Sequence, residues 1–424
     1  MTTPRRPPRS CVWLLAASLA LIGPAVMAQE SNFGSVAEDE VTVRVLYRQH
    51  YTNEMLPLAR VRVTARASSG RSLGEAETDE DGVATFACRE ASDRVRVRVS
   101  TAGTGPVRVY FDPAGWLPFN ERSTAARADA VPCGGSETLI ADRAMANTLV
   151  AMRAIADLYA SRFGYTRGPV DVFLNRGNKN GLYSLHNNIS FGNARLERPR
   201  GFRIMAHEYA HAYHHQALGG MPRGRCGASH YFSGADDFGC AYTEGFAHFA
   251  SAVALTELFP ALYGLSPVDS PVYLRILNNA AYPGTPERSD RPEYVTDGSV
   301  IEGVFAAFLW DLYDPPGTPG EDAAAEAVFD RTSYSLRYIA DVMATCQWVV
   351  NGRYRDEDGT DRLVSCFQNR RVPYSERFFG LRYVQGPKAW RYRPTEQATE
   401  PPNWNPDDIT RLWRHTFYGL PTSP

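Results

Sequence analysis

His207-Glu208-Tyr209-Ala210-His211 is the stretch on which the reading of this chain turns. Its H-E-x-x-H spacing carries chemistry only if the segment is helical. Positions i and i+4 of a helix lie one turn apart on the same face. Two imidazoles so placed reach one zinc ion, and the Glu between them is a candidate general base. The flanks predict a helix. Pro199 precedes the run, no Pro or Gly interrupts Arg203 to Leu218, and Gly219-Gly220 ends it. The alternative is a surface helix with two solvated histidines.

A catalytic zinc takes three protein ligands and leaves a fourth position for water. Tyr242-Thr243-Glu244-Gly245-Phe246-Ala247-His248 offers a third ligand, with Glu244 placed 33 residues beyond His211. Thr243 is expected to cap this second helix, with Glu244 in its first turn. His214, His215, His230 and His248 are alternative ligands. Of these, His214 shares the face of His207 and His211 but lies far along the helix axis. A third His six residues after His211 would mark a metzincin arrangement, and Ala217 stands there.

H-E-x-x-H followed by a helix opening in E-G-F-A resembles the gluzincin zinc metallopeptidases, the group of thermolysin-like proteases and large zinc aminopeptidases. The resemblance implies His207, His211 and Glu244 as zinc ligands and Glu208 as general base. It is close over 207–211 and 244–247 and looser over 137–330. Thermolysin-like enzymes carry an acid four positions after the ligand Glu, supporting a zinc-bound His. This chain has His248 at that position.

The N-terminus reads as an export signal. Arg5, Arg6 and Arg9 precede an apolar run from Val12 to Ile22, and Val26 and Ala28 suit cleavage before Gln29. The run is short for a transmembrane helix, so no stable membrane span is expected after signal removal. Six of the seven cysteines follow residue 28, an even set that predicts disulfides in an exported chain. Neighbour pairing gives 88–133, 226–240 and 346–366. The second pair would staple a glycine-rich loop and hold Glu244 near the histidines. The net charge of −2 is not the footprint of a nucleic-acid binder.

Residues 41–115 alternate at period two. Val41, Val43, Val45 and Tyr47 oppose Thr42 and Arg44. Val61, Val63 and Ala65 oppose Arg62 and Thr64, and Val95, Val97 and Val99 oppose Arg94, Arg96 and Arg98. This predicts an antiparallel β-sandwich over 40–135. The stretch around Thr78-Asp79 to Phe86 resembles the carboxypeptidase-regulatory-like modules. The arginine stripes read as a solvated sheet face, with an anionic-glycan surface as the alternative. From Thr138 the period becomes helical through Met145, Leu149, Met152, Ile155 and Tyr159, up to Gly164. Strands are expected at 170–174 and 188–191, the latter as an edge strand that could bind an extended peptide. Residues 299–313 form an apolar helix whose Asp311 or Tyr313 could reach the cleft. Residues 264–298 are expected to loop over the cleft, and the aromatic tail 378–418 to pack against the domain.

The expected architecture is α+β. A signal peptide (1–28) precedes the β-sandwich module (40–135) and a mostly helical zincin-like domain with a small sheet (137–424). The expected function is a secreted or periplasmic zinc peptidase acting on a peptide or protein substrate. Tyr231, His230, Tyr242 and His248 are candidates to stabilise the oxyanion. The competing reading is a non-catalytic exported binding protein on a degenerate zincin scaffold. Such a scaffold usually loses a ligand or the base, and both are present here.

Overall fold

Alternating valines build the first half of the molecule. The structure, a computed structural model, describes residues 39–88, 90, 94–111, 119–164, 168–174, 181–184, 188–192, 199–217, 226, 238–266, 302–313, 335–340 and 343. Strand β1 (Glu40–Arg48) pairs antiparallel with β2 (Met55–Pro57) and β5 (Val83–Ala87). A second sheet runs β4-β3-β6-β8, from β3 (Arg62–Ala67), β4 (Ser72–Glu77), β6 (Arg94–Ser100) and β8 (Thr124–Pro132). Val41, Val43, Val45, Val63, Val95, Val97 and Val99 are all fully buried in one apolar cluster. The intervening arginines point outward, where Arg62 meets Glu75, Arg96 meets Asp129 and Arg98 meets Glu121. Exposed pairs of this kind contribute little to stability and keep the face solvated.

The turn into β5 is fixed by chemistry that the sequence displays. Asp79 Oδ1 accepts from the backbone N–H groups of Asp81 and Val83 at 3.0 and 2.8 Å. Gly82 adopts φ +76°, and a Cβ there would lie 2.4 Å from the carbonyl oxygen of Val45. Only glycine fits that position. The expected pairing of Cys88 with Cys133 is present, tying the end of β5 to the end of β8.

Two strands cross from this region into the rest of the chain. Strand β9 (Ser136–Ile140) pairs parallel with β1, so Thr138 to Ile140 are extended and not helical as expected. Helix α2 (Arg143–Arg162) starts only after Asp142, whose carboxylate accepts from Met145 N at 2.9 Å, an N-cap. Strand β7 (Val107–Phe111) pairs parallel with β10 (Val170–Leu174), and Arg108 and Asp171 face each other across that ladder at 2.6 Å. The third sheet runs β11-β12-β10-β7, with β11 (Gly181–Ser184) antiparallel to β12 (Asn188–Phe191). The edge strand is therefore β11, and β12 lies inside the sheet, contrary to expectation. β11 pairs along the side of β12 that faces away from β10.

Helix α1 (Phe119–Arg122) is a single turn. Three further helices among the described residues, α3 (Pro199–Ala217), α4 (Phe238–Tyr263) and α5 (Glu302–Tyr313), pack in sequence, α3 on α4 and α4 on α5. Pro199 stands at the first position of α3, where its missing N–H is no loss. Helix α4 is predominantly apolar and is long enough to span a membrane, but 67% of its most apolar window is buried within the fold. It reads as a core helix. Gly264, at φ +67°, ends it.

Candidate metal centre

Helices α3 and α4 run antiparallel and oppose two polar ladders. Arg203, His207 and His211 recur every fourth residue on α3, and Glu244 and His248 do so on α4. His207 Nε2 and His211 Nε2 each lie 3.1 Å from Glu244 Oε2, and 3.1 Å from each other. All three residues are buried and form a group able to hold a metal ion. The structure thus brings His207, His211 and Glu244 together, with Glu208 buried on the same helix turn.

The donor set fits zinc. Ligands bound tetrahedrally at the usual Zn–N and Zn–O lengths stand about 3.4 Å apart. The observed triangle has edges close to that. Each Nε2 carries at most one proton and the carboxylate oxygen carries none, so the three mutual 3.1 Å contacts cannot all be hydrogen bonds at once. Burial pushes His207 down to about 3, with neighbouring His248 adding to the effect. It is therefore neutral at pH 7 and presents a lone pair. Burial alone would raise the Glu244 carboxyl, but the imidazoles of His211 and His207 outweigh it and hold it well below the usual range. A neutral imidazole and an anionic carboxylate are the protonation states that metal ligation requires.

The second helix differs from expectation at its start. It begins at Phe238, so Thr243 is an interior residue and no cap, and Glu244 lies beyond the first turn. Cys226 and Cys240 are disulfide-bonded, and Cys226 Sγ lies 3.8 Å from Glu244 Oε1. The staple thus reaches the carboxylate itself. Gly245 has a separate role. A Cβ there would meet Phe305 Cβ at 2.7 Å and the Glu302 carbonyl oxygen at 2.9 Å, so glycine lets α5 approach α4 directly behind the centre. On the other side, Tyr159 of α2 donates to the carbonyl oxygen of Ala206 at 3.1 Å, next to His207.

Several candidate residues fall elsewhere. Tyr242 is fully buried and donates to the Met343 carbonyl at 2.5 Å, so it is no oxyanion donor. His214 packs against Phe246 and Tyr242 in the core. His215, the next residue on the helix, stands outside the metal-capable group. Tyr313 donates to Glu257 near the far end of α4, remote from the histidines. His248 has both ring nitrogens engaged, Nδ1 with Arg203 at 3.3 Å and Nε2 with Glu302 at 3.3 Å, and is neither ligand nor oxyanion donor. His230, Tyr231, the cysteines at 346 and 366, the signal segment, the loop 267–298 and the tail from 378 lie outside the described residues. The sequence reading missed Arg203 and Glu302. Arg203 carried a signal, its position one turn before His207. Glu302 carried one as well, an acid opening a helix whose next eight residues are Gly or apolar.

A buried His-His-Glu group able to hold a metal ion thus lies between two packed helices. The mycolysin C-terminal domain matches residues 175–345, which include all of α3, α4 and α5 and link the chain to zinc metallopeptidases. The match spans less than half of the chain. No curated protein matches it. Among solved structures, a 9R-lipoxygenase from Cyanothece PCC8801 aligns at 13% identity over 63% of this chain and 30% of that one, with a TM-score of 0.18. A TM-score that low carries no argument.

Proposed function

We propose that this chain is an exported zinc peptidase of gluzincin type, with a zincin-like catalytic domain behind an N-terminal β-sandwich module. The convergence of His207, His211 and Glu244 within 3.1 Å in a buried site carries the reading. Those three would hold the ion. When bound, zinc supplies a Lewis acid that polarises the scissile carbonyl and acidifies water near neutral pH. Glu208 takes the proton of the attacking water and returns it to the leaving amine. The terminal strand of the third sheet gives the substrate a place to lie. β11 packs beside α3 and is bonded on one side only among the described strands, so an extended peptide would add to it through backbone hydrogen bonds. A peptide or protein substrate is proposed, with no nucleic acid. The two disulfides suit an oxidising compartment.

Metal analysis and a mixed peptide library test this together. Wild type should retain about one zinc per chain after dialysis. Glu208→Gln should keep the metal and lose nearly all hydrolysis, since Gln is nearly isosteric and cannot act as a base. A native protein that takes up no zinc, or a Glu208→Gln variant with normal turnover, refutes the reading.

A further inference from the structure

We infer that Glu302, acting through His248, is a positioning residue that sets the ring of His207 in the proposed metal centre. The inference rests on the zinc-peptidase reading of that centre. His207 is gripped by rings. His211 stands edge-on to it at 4.6 Å, and the His248 ring lies at 4.5 Å, tilted 50°. Metal-ligating histidines are usually oriented by a hydrogen bond from their second nitrogen. His207 Nδ1 has no such partner among the described residues. The tilted His248 ring, packed against it, is in a position to do that work.

His248 is itself held firmly. Arg203 Nη1 can only donate, so its contact with His248 Nδ1 makes that nitrogen the acceptor. The proton then sits on Nε2 and points at Glu302 Oε2, 3.3 Å away. Glu302 is 1% exposed and sits at the start of α5. Its backbone carbonyl lies 2.9 Å from where a Cβ on Gly245 would stand, and its Oε1 lies 3.9 Å from Cys240 Sγ. A carboxylate anchored on a third helix therefore fixes the ring that packs on the ligand. Where thermolysin-like sequences place an acid four residues after the ligand Glu, this chain places a histidine, and Glu302 supplies a carboxylate to it from α5.

A buried network that only cemented helices would change stability and leave the metal site alone. The test uses the full chain and reads zinc affinity, the visible spectrum of the cobalt(II)-substituted protein, and thermal unfolding of the metal-free form. Glu302→Gln can still accept from His248 Nε2 and should bind zinc within about 3-fold of wild type, with an unchanged cobalt spectrum. Glu302→Ala should bind zinc about 10-fold to 100-fold more weakly and shift that spectrum. Should Glu302→Ala fail to fold, Glu302→Asp takes its place, because it keeps the buried charge but draws it away from His248. Its affinity should fall in the same direction. Folded Ala or Asp variants with wild-type affinity and spectrum overturn the inference while leaving the zinc reading intact. A wild type that binds no metal overturns both.

Discussion

At the scale of residues, burial decides which groups are available for chemistry. Neutral His207 and anionic Glu244 are products of their surroundings, as is the phenol of Tyr242. Four buried tyrosines extend the same physics to stability. Burial pushes Tyr47 up to about 12, and pushes Tyr159, Tyr242 and Tyr263 upward too. A raised folded-state pKa contributes stability that is complete below the ordinary phenol value of about 10 and is lost as pH rises through the folded value. The protein should therefore unfold cooperatively between about pH 10 and 12, with tyrosinate absorbance rising in the same step as the loss of far-UV ellipticity. Tyr159 and Tyr242 anchor α2 to α3 and α4 to the Met343 backbone, so zinc release should accompany that step. Gradual titration of all tyrosines ahead of unfolding would contradict the assignment.

At the scale of elements, the centre depends on how closely three helices approach. α3 and α4 bring the proposed ligands, and α5 lies behind α4 at a distance that only Gly245 allows. Gly245→Ala gives a modest gain in helix propensity but places a methyl against Phe305 and the Glu302 carbonyl. The clash is mainly with backbone and a β-carbon, which cannot swing away, so a net loss of about 1–3 kcal/mol is expected. Urea unfolding measures it. Since Glu302 moves with α5, zinc affinity should fall as well, and a Gly245→Ala protein of unchanged stability would show that α5 can withdraw freely.

At the scale of the whole molecule, the β-rich first half and the helical second half share strands. β9 joins β1, and β7 supplies the outer strand of the sheet on which α2 packs. A chain shortened to begin at residue 137 loses β7 and leaves the β10 edge open, and open edges invite association. Such a fragment should aggregate or bind zinc poorly by size-exclusion chromatography and metal analysis. A soluble, monomeric, zinc-loaded fragment would show that the second half folds alone.

The chain's own letters determined what depends on local spacing. Periods of two and four placed the valines of β1, β3 and β6 inside, the arginines outside, and His207 and His211 on one face of α3. The resemblance carried by E-G-F-A pointed to Glu244, and neighbouring cysteines marked two bonded pairs. Contacts between segments far apart in sequence carry no such period, and only the tertiary structure decided them. The return of β11 over β12 sets which strand is the edge. The parallel pairing with β1 draws Thr138 to Ile140 out of the helical pattern. The docking of α5 turns Glu302 toward His248, and the depth of α4 in the core removes Tyr242 from the site. Each is a matter of packing, where apolar burial and hydrogen-bond satisfaction over the whole fold outweigh the preference of a few residues.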